Sequence, residues 1–315
     1  MLLLSDTLTP EEFSFAGHIR YTMDGSPGLR TSRIRPYTLA AVGALYTGMV
    51  LGLHFYQQAT LWNKRSSRFN VAEDGDYAAY VDKYGHFYGG YIMSYYSSEV
   101  LQASGVAYEQ SRIWGTLMGI AYMTYIEIED GFATGWSFSP SDFYMNLAGA
   151  TFHLAQTYVP FLQNFTMKWI YTPPTWIGEK VRRNPYDTTQ TYTTFNDDYS
   201  ASTFMISMNI HNMLPQQWKK YWVPWLNVGV GYVVRNLGWR DETKRIAVSL
   251  DWNLVELMPD FKKVVGGTTG AVLNWLVQSI NYFKLPSPTV EFSNDGNTRI
   301  RLLYPFALNI GGIYF

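Results

Sequence analysis

The 315-residue chain contains no cysteine, which excludes disulfide bonds, thiolate metal sites, iron–sulfur clusters and cysteine nucleophiles. It also leads us to expect no lipoprotein anchor. Charged residues are scarce, at 16% against the roughly 25% of an average globular protein. The net charge is −1 and no run of Lys or Arg exceeds two residues, so a nucleic-acid partner is not expected.

Aromatic side chains, by contrast, are abundant. They make up 17% of the chain, which is typical of a protein that meets a membrane interface or fills its core with rings. The mean hydropathy of −0.13 argues against a polytopic protein built from wholly apolar helices. Residues 1–12 lack the basic and apolar regions of a signal peptide, and we expect that an export signal has been removed from this numbering.

The pattern predicts about four helices in residues 37–165, after an amino-terminal extension over residues 1–36. Residues 36–63 carry no charge and are long enough to span a bilayer or to form a fully buried helix, and the small residues of this stretch suit close helix packing. Further helical segments are predicted at 78–104, 111–132 and 139–165. Ser139 is a suitable N-cap for the last of them, with Pro140 in its first turn.

Residues 166–315 show the period-two alternation of antiparallel strands. One face of a strand collects Ile246, Val248 and Leu250, and a hairpin turn is predicted at 294–297. A helix over residues 270–282 interrupts the strands. The chain is therefore predicted to be α+β, with a helical bundle followed by an antiparallel sheet.

The strand pattern is compatible with two structures for this sheet. Asn227, Gly229 and Gly231 put small or polar groups on one face, as in a small outer-membrane β-barrel whose other face meets lipid. Residues 308–315, ending in Phe315, resemble the last strand of such barrels. We predict the barrel, and the alternative is a soluble sheet covered by the helices.

The stretch between Arg112 and Lys168 contains four acidic residues and no Lys or Arg. A carboxylate in apolar surroundings must be protonated, paired or bound to a metal. Helical spacing places such groups on shared faces, because residues three or four apart are neighbours. The predicted polar cluster consists of Asp82, Lys83, His86, Glu127, Asp130, Asp142 and Asn146.

Three interpretations of this cluster are open. The first is a buried network in which Lys83 or His86 neutralises an acid and fixes the packing of the helices. The second is a carboxylate–histidine metal site, although no HExxH, DxD or His-x-His spacing supports it and no metal is assigned. The third is a catalytic acid–base set in which His86 is the base and Glu127 or Asp130 orients it. The sequence leaves the cofactor unassigned.

Several of these stretches together resemble DUF2279, the family of bacterial envelope proteins that includes the YfiM-like lipoproteins, in its longer Bacteroidetes-type form. They are DKYGHFYGGYIMSYYSSEVL at 82–101, YIEIEDGF at 125–132, WSFSPSDFYMNLAGA at 136–150 and, more loosely, WLNVGVGY at 225–232 and KLPSPTVEF at 284–292. The family pattern maps onto Asp82, Lys83, His86, Glu127, Asp130, Gly131, Ser139, Asp142, Asn146 and Gly149. A fainter similarity links the same order of residues to VanZ-like membrane proteins.

The resemblance implies a location in the envelope of a Gram-negative bacterium, at the outer membrane or its periplasmic face. We therefore predict an envelope protein that contacts membrane lipid and protein partners, as a structural or accessory component of a membrane assembly. The alternative is an envelope enzyme, with or without a metal, that acts on lipid or glycan through His86, Glu127, Asp130 and Asp142.

Overall fold

The computed structural model describes residues 6–184, 191–192, 195, 197–306, 309–310 and 313–314. The chain forms two compact units. The helical unit comprises residues up to 75, 86–163 and 258–279, and the sheet unit comprises residues 76–85, 164–257 and those from 280 onward.

Four long helices dominate the first half of the chain: α1 (Pro36–Thr60), α2 (Val81–Ala103), α3 (Tyr108–Phe132) and α4 (Pro140–Tyr158). Ser139 caps α4 by accepting a hydrogen bond from the backbone N–H of Asp142, and Pro140 opens its first turn, as predicted. Two-residue strands, β1 (Ser14–Phe15) and β2 (His18–Ile19), precede α1.

The predicted count of four helices is wrong. Besides the four long helices, residues 37–165 contain 3₁₀ helices over Tyr77–Tyr80 and Pro160–Asn164. The helical unit also includes two helices from the second half of the chain. The short helices α5 (Ile210–Met213) and α6 (Leu254–Leu257) lie in the sheet unit. They are followed by α7 (Phe261–Val264) and α8 (Gly267–Ile280) of the helical unit. Helix α8 matches the helix predicted at 270–282, but it packs with residues distant in sequence, which local periodicity does not reveal.

Glycines bring α2 and α4 into close contact. A Cβ at Gly149 of α4 would overlap the carbonyl oxygen of Phe87, and a Cβ at Gly90 of α2 would overlap that of Asn146. Helix backbones approach this closely only where side chains are absent. In α1, by contrast, Gly43 and Gly48 have open space around them, so the close packing expected of the small residues of α1 is not observed there.

The sheet unit is built on six antiparallel strands that follow one another in chain order. They are β3 (Phe165–Tyr171), β4 (Ser202–Met208), β5 (Leu226–Arg235), β6 (Thr243–Trp252), β7 (Ser287–Ser293) and β8 (Thr298–Tyr304). The predicted hairpin at 294–297 joins β7 to β8, with Gly296 in the left-handed region at φ 82°. Two-residue strands β9 (Asn309–Ile310) and β10 (Ile313–Tyr314) pair with each other, and Phe315 lies outside the described residues.

The sheet is not closed, so the prediction of a β-barrel is wrong. Within the described part of the chain, β3 and β8 are the two edges of the order and do not pair with each other. Closure of a barrel requires hydrogen bonds between the first and last strands. Period-two alternation reports that a strand has two unlike faces, but it carries no information on whether the two edges of the sheet meet.

Candidate functional site

Three helices of the helical unit supply the polar side chains of the candidate site. Helix α2 places His86, α3 places Glu127, and α4 places Asp142 and Asn146 one turn apart. His86 Nδ1 lies 3.1 Å from Glu127 Oε1 and 3.1 Å from Asn146 Oδ1. His86 Nε2 lies 3.7 Å from Asp142 Oδ2. The imidazole ring therefore has a carboxylate on each side.

Glu127 is at the centre of the hydrogen bonding. Its Oε1 accepts a bond from Asn146 Nδ2 at 3.1 Å, and its Oε2 accepts one from the backbone N–H of Ser139 at 3.4 Å. Ser139 Oγ donates in turn to Asp74 Oδ1 at 2.6 Å. Glu127 is 1% exposed, whereas the His86 side chain retains 15% exposure. The site thus combines a buried, fixed carboxylate with a histidine that solvent reaches.

This arrangement supports two kinds of chemistry. Glu127 is placed to orient the His86 ring by accepting from Nδ1–H, and Nε2 on the other side of the ring faces Asp142, in a position for a base or a metal ligand. The 3.7 Å between Nε2 and Asp142 Oδ2 is too long for a hydrogen bond, but it is compatible with both atoms binding one ion. Imidazole nitrogen and carboxylate oxygen are both common ligands of divalent transition metals.

Asp82 and Lys83 lie in the sheet unit, although Asp82 is one turn before His86 on the continuous helix α2. Lys83 Nζ donates to Asp82 Oδ2 at 2.8 Å, and the hydroxyl of Tyr199 donates to Asp82 Oδ1. Burial, followed by the charge of Asp82, raises the pKa of Tyr199 well above 10.0. Asp82 is thereby part of a buried ionic group within the sheet unit.

The structure gives Asp130 a partner outside the sequence-predicted set. The Oδ1 of Asp130 accepts a hydrogen bond from Trp62 Nε1 at 2.6 Å. Trp62 also packs against Ile126, which lies on α3 together with Asp130. Glu129 pairs with Arg65 at 2.6 Å. Helix α3 thus directs Glu127, Glu129 and Asp130 to different neighbours, since consecutive positions on a helix point in different directions.

A second polar cluster of the helical unit was not predicted as a site. His153 Nε2 lies 3.5 Å from Ser98 Oγ, and the carbonyl of His153 accepts a hydrogen bond from Arg112. Burial, then the charges of Arg112 and Arg20, lowers the pKa of His153 well below 6.5. The sequence signal was the spacing of His153 from Asp142, which places both on one side of α4. Its partners lie on other helices and cannot be read from that spacing.

A third cluster lies in the sheet unit and was also missed. Lys168 Nζ lies 2.7 Å from Asp251 Oδ2, and Lys284 Nζ lies 3.5 Å from Asp251 Oδ1. All three side chains are buried, and burial lowers the pKa of Lys284 to about 8. The available signal was the alternation of β6, since the positions between its apolar residues are Arg245, Ala247, Ser249 and Asp251.

Residues 72–157 match the model of a family described as predicted periplasmic lipoproteins (DUF2279). The matched segment is just over a quarter of the chain and contains His86, Glu127, Asp142 and Asn146. The match supports a protein at the periplasmic face of the cell envelope, while the similarity to VanZ-like proteins stays a prediction. No curated protein and no solved structure matches the chain.

Proposed function

We propose that the protein acts at the periplasmic face of the envelope, is anchored in a membrane by α1, and binds a divalent metal ion between His86 and Asp142. One observation carries the metal site: the two nitrogens of a single imidazole face two different carboxylates. In metal sites, a ligating histidine commonly donates its other N–H to a carboxylate, which fixes the ring and makes it a better ligand. Glu127 has that position here.

The membrane anchor is supported by α1. Among the described residues it is the one helix long and apolar enough to cross a membrane, with a mean hydropathy of 1.5 over its best window. None of its residues is buried, which supports a membrane helix over a fully buried core helix. A run of 25 residues without charge suits the hydrocarbon of a bilayer.

A metal ion at this position would supply Lewis-acid activation of water or of a substrate oxygen. The protein would orient the ligands of this ion: Glu127 fixes the ring of His86, and the side-chain amide of Asn146 donates to Glu127. Such chemistry suits hydrolysis of an envelope lipid or glycan, because attack by activated water is how zinc hydrolases cleave their substrates.

A second candidate is a structural or accessory role in a membrane assembly, with the cluster as an architectural network. It is favoured by the burial of Glu127 and Asn146 and by the glycine contacts between α2 and α4 in the same region. A network of this kind fixes how helices pack without taking part in chemistry.

Thermal unfolding in detergent, with and without added Zn²⁺ after chelator treatment, separates the two candidates. A metal ion that binds the native state but not the unfolded state raises the melting temperature. We expect such a rise in the wild type and in Glu129→Gln, an acid on α3 that pairs with Arg65, and none in His86→Ala or Asp142→Asn. Absence of a rise in the wild type, with strong destabilisation by His86→Ala, would support the structural network instead.

A further inference from the structure

The polarity of the two sheet faces is the reverse of that in a water-soluble sheet. On β6, Arg245, Ser249 and Asp251 are buried, whereas the alternate residues Ile246, Val248 and Leu250 are exposed by 37–45%. The same alternation continues onto the neighbouring strands, because antiparallel pairing places residues of one face side by side. Val230 pairs with Val248, and Val248 with Val290.

The exposed residues, together with half-buried Val228 and Val290, form one continuous apolar surface across β5 to β8, which we name the outer face. Phe292 and Ile300 extend it toward the β8 edge, with exposures of 51% and 67%. The outer face consists of Val228, Val230, Ile246, Val248, Leu250, Val290, Phe292, Ile300 and Leu302. A contiguous apolar patch of this kind marks an interaction surface rather than one that faces water.

We propose that the outer face lies against the acyl chains of a lipid membrane. The buried face holds ion pairs such as Lys168–Asp251 and Arg245–Glu291 beside one small apolar cluster, so most apolar residues of β6 lie on the opposite side. Exposed apolar side chains are more stable in a nonaqueous environment than in water, and acyl chains provide one without requiring a polar group.

The chemistry of the outer face favours lipid over a protein partner. Protein interfaces carry about one hydrogen bond per 100–200 Å², and their charged rim fixes orientation. None of the nine outer-face side chains has a donor, an acceptor or a charge, and the polar residues of the same strand faces, Tyr232, Lys244 and Thr298, lie at one end of the strands. Trp218 and Tyr221, which precede β5, are exposed by 54% and 70%, and amphipathic rings of this type favour the membrane–water interface.

Two further observations bear on the geometry of the contact. Helix α1 of the other unit independently suits a bilayer, so the protein carries lipid-compatible surface in both units. Among the described residues, β3 pairs on its outer edge only at Trp169, with Phe283, and β8 has no further strand beside it, so both edges keep backbone groups that hydrocarbon does not satisfy. The inference is therefore contact of one face with the membrane, as in monotopic proteins, and not a sheet that crosses it.

Single-cysteine spin labelling tests this directly, because the chain has no native cysteine. Full-length Ile246→Cys, Val248→Cys, Leu250→Cys and Ile300→Cys would be labelled with a nitroxide and reconstituted into phosphatidylethanolamine–phosphatidylglycerol vesicles. Each label would then be exposed to oxygen, which concentrates in lipid, and to a water-soluble nickel chelate. Asn297→Cys in the β7–β8 turn is the aqueous control. Unchanged melting temperatures would establish that each variant folds.

We expect oxygen to relax the outer-face labels more strongly than the nickel chelate does, and the reverse at position 297. Vesicle binding alone would be uninformative, since α1 can supply it. Strong relaxation by the nickel chelate at the outer-face positions would overturn the proposal by showing that the face meets water. Protection from both reagents would overturn it equally, because it would show that a second copy or another protein covers the face.

Discussion

His86 Nδ1 lies 3.1 Å from Oε1 of Glu127, which belongs to a different helix and is almost completely buried. A buried carboxylate beside an imidazole fixes both the tautomer and the orientation of the ring. This single pairing ties the chemistry of the site to the packing of α2 against α3. Substitutions of His86 or Glu127 can therefore affect both metal binding and folding, and the two effects must be measured separately.

Replacing Glu127 with Gln should weaken metal binding while leaving the ligands in place. The amide is nearly isosteric but no longer carries the charge that supports His86. Loss of an outer-shell partner of this kind typically lowers metal affinity about 10–100-fold. Competition against a chromophoric zinc chelator would measure the change. Glu129→Gln is the matched control, and equal affinities of Glu127→Gln and wild type would contradict the role assigned to Glu127.

Gly149→Ala should destabilise the helical unit. The new methyl group would overlap the carbonyl oxygen of Phe87, so α2 and α4 would have to separate. Overpacking of this type costs about 1–3 kcal/mol. Gly48→Ala is the control, because it lies in a helix with open space around it and alanine is the better helix former. Denaturant unfolding measures both, and equal stabilities would argue against the close contact.

Lys83→Met should destabilise the sheet unit by leaving Asp82 buried beside Tyr199 without its ammonium partner. Breaking a buried ion pair from one side costs about 3–5 kcal/mol. Lys180→Met removes an exposed pair with Asp241 and should change the melting temperature little. Similar melting temperatures for the two variants would show that Lys83 does not neutralise a buried charge.

The stability of the fold should fall as the pH drops below about 6.5, in part because of His153. Burial and the charges of Arg112 and Arg20 hold the pKa of His153 well below 6.5, so the unfolded chain binds a proton that the folded chain does not. Protons therefore favour unfolding between the two pKa values, by up to about 1.4 kcal/mol per pH unit. Urea unfolding of wild type and His153→Gln across this range measures the contribution. Identical pH dependence in both proteins would contradict it.

The sequence was sufficient to predict the start of α4 and the β7–β8 hairpin, because their signals are local, whereas the helix predicted to run to residue 165 ends at Tyr158. Ser139, Pro140 and Gly296 each act within one turn of the chain. The same holds for the outer face of β6, since alternation is visible over ten residues. Closure of the sheet depends on its two edges, and the recruitment of α8 into the helical unit depends on contacts distant in sequence. No local pattern in the sequence predicts whether the sheet closes or whether α8 packs in the helical unit.

The candidate site was predicted in part for the same reason. Spacing placed Asp142 and Asn146 on one face of α4, and the lack of nearby bases marked Glu127 as a group that requires a partner. Spacing alone did not reveal that Glu127 meets His86 while Asp130 accepts a bond from Trp62. That distinction depends on the rotation of α3 about its own axis, which tertiary packing sets.

Elemental analysis of the purified full-length protein, alongside His86→Ala and Asp142→Asn, tests the metal centre most directly. The proposal predicts about one equivalent of a divalent metal in the wild type, and its loss from both variants while they remain folded. A wild-type protein that contains no metal, and takes up none from a Zn²⁺ solution, would contradict it.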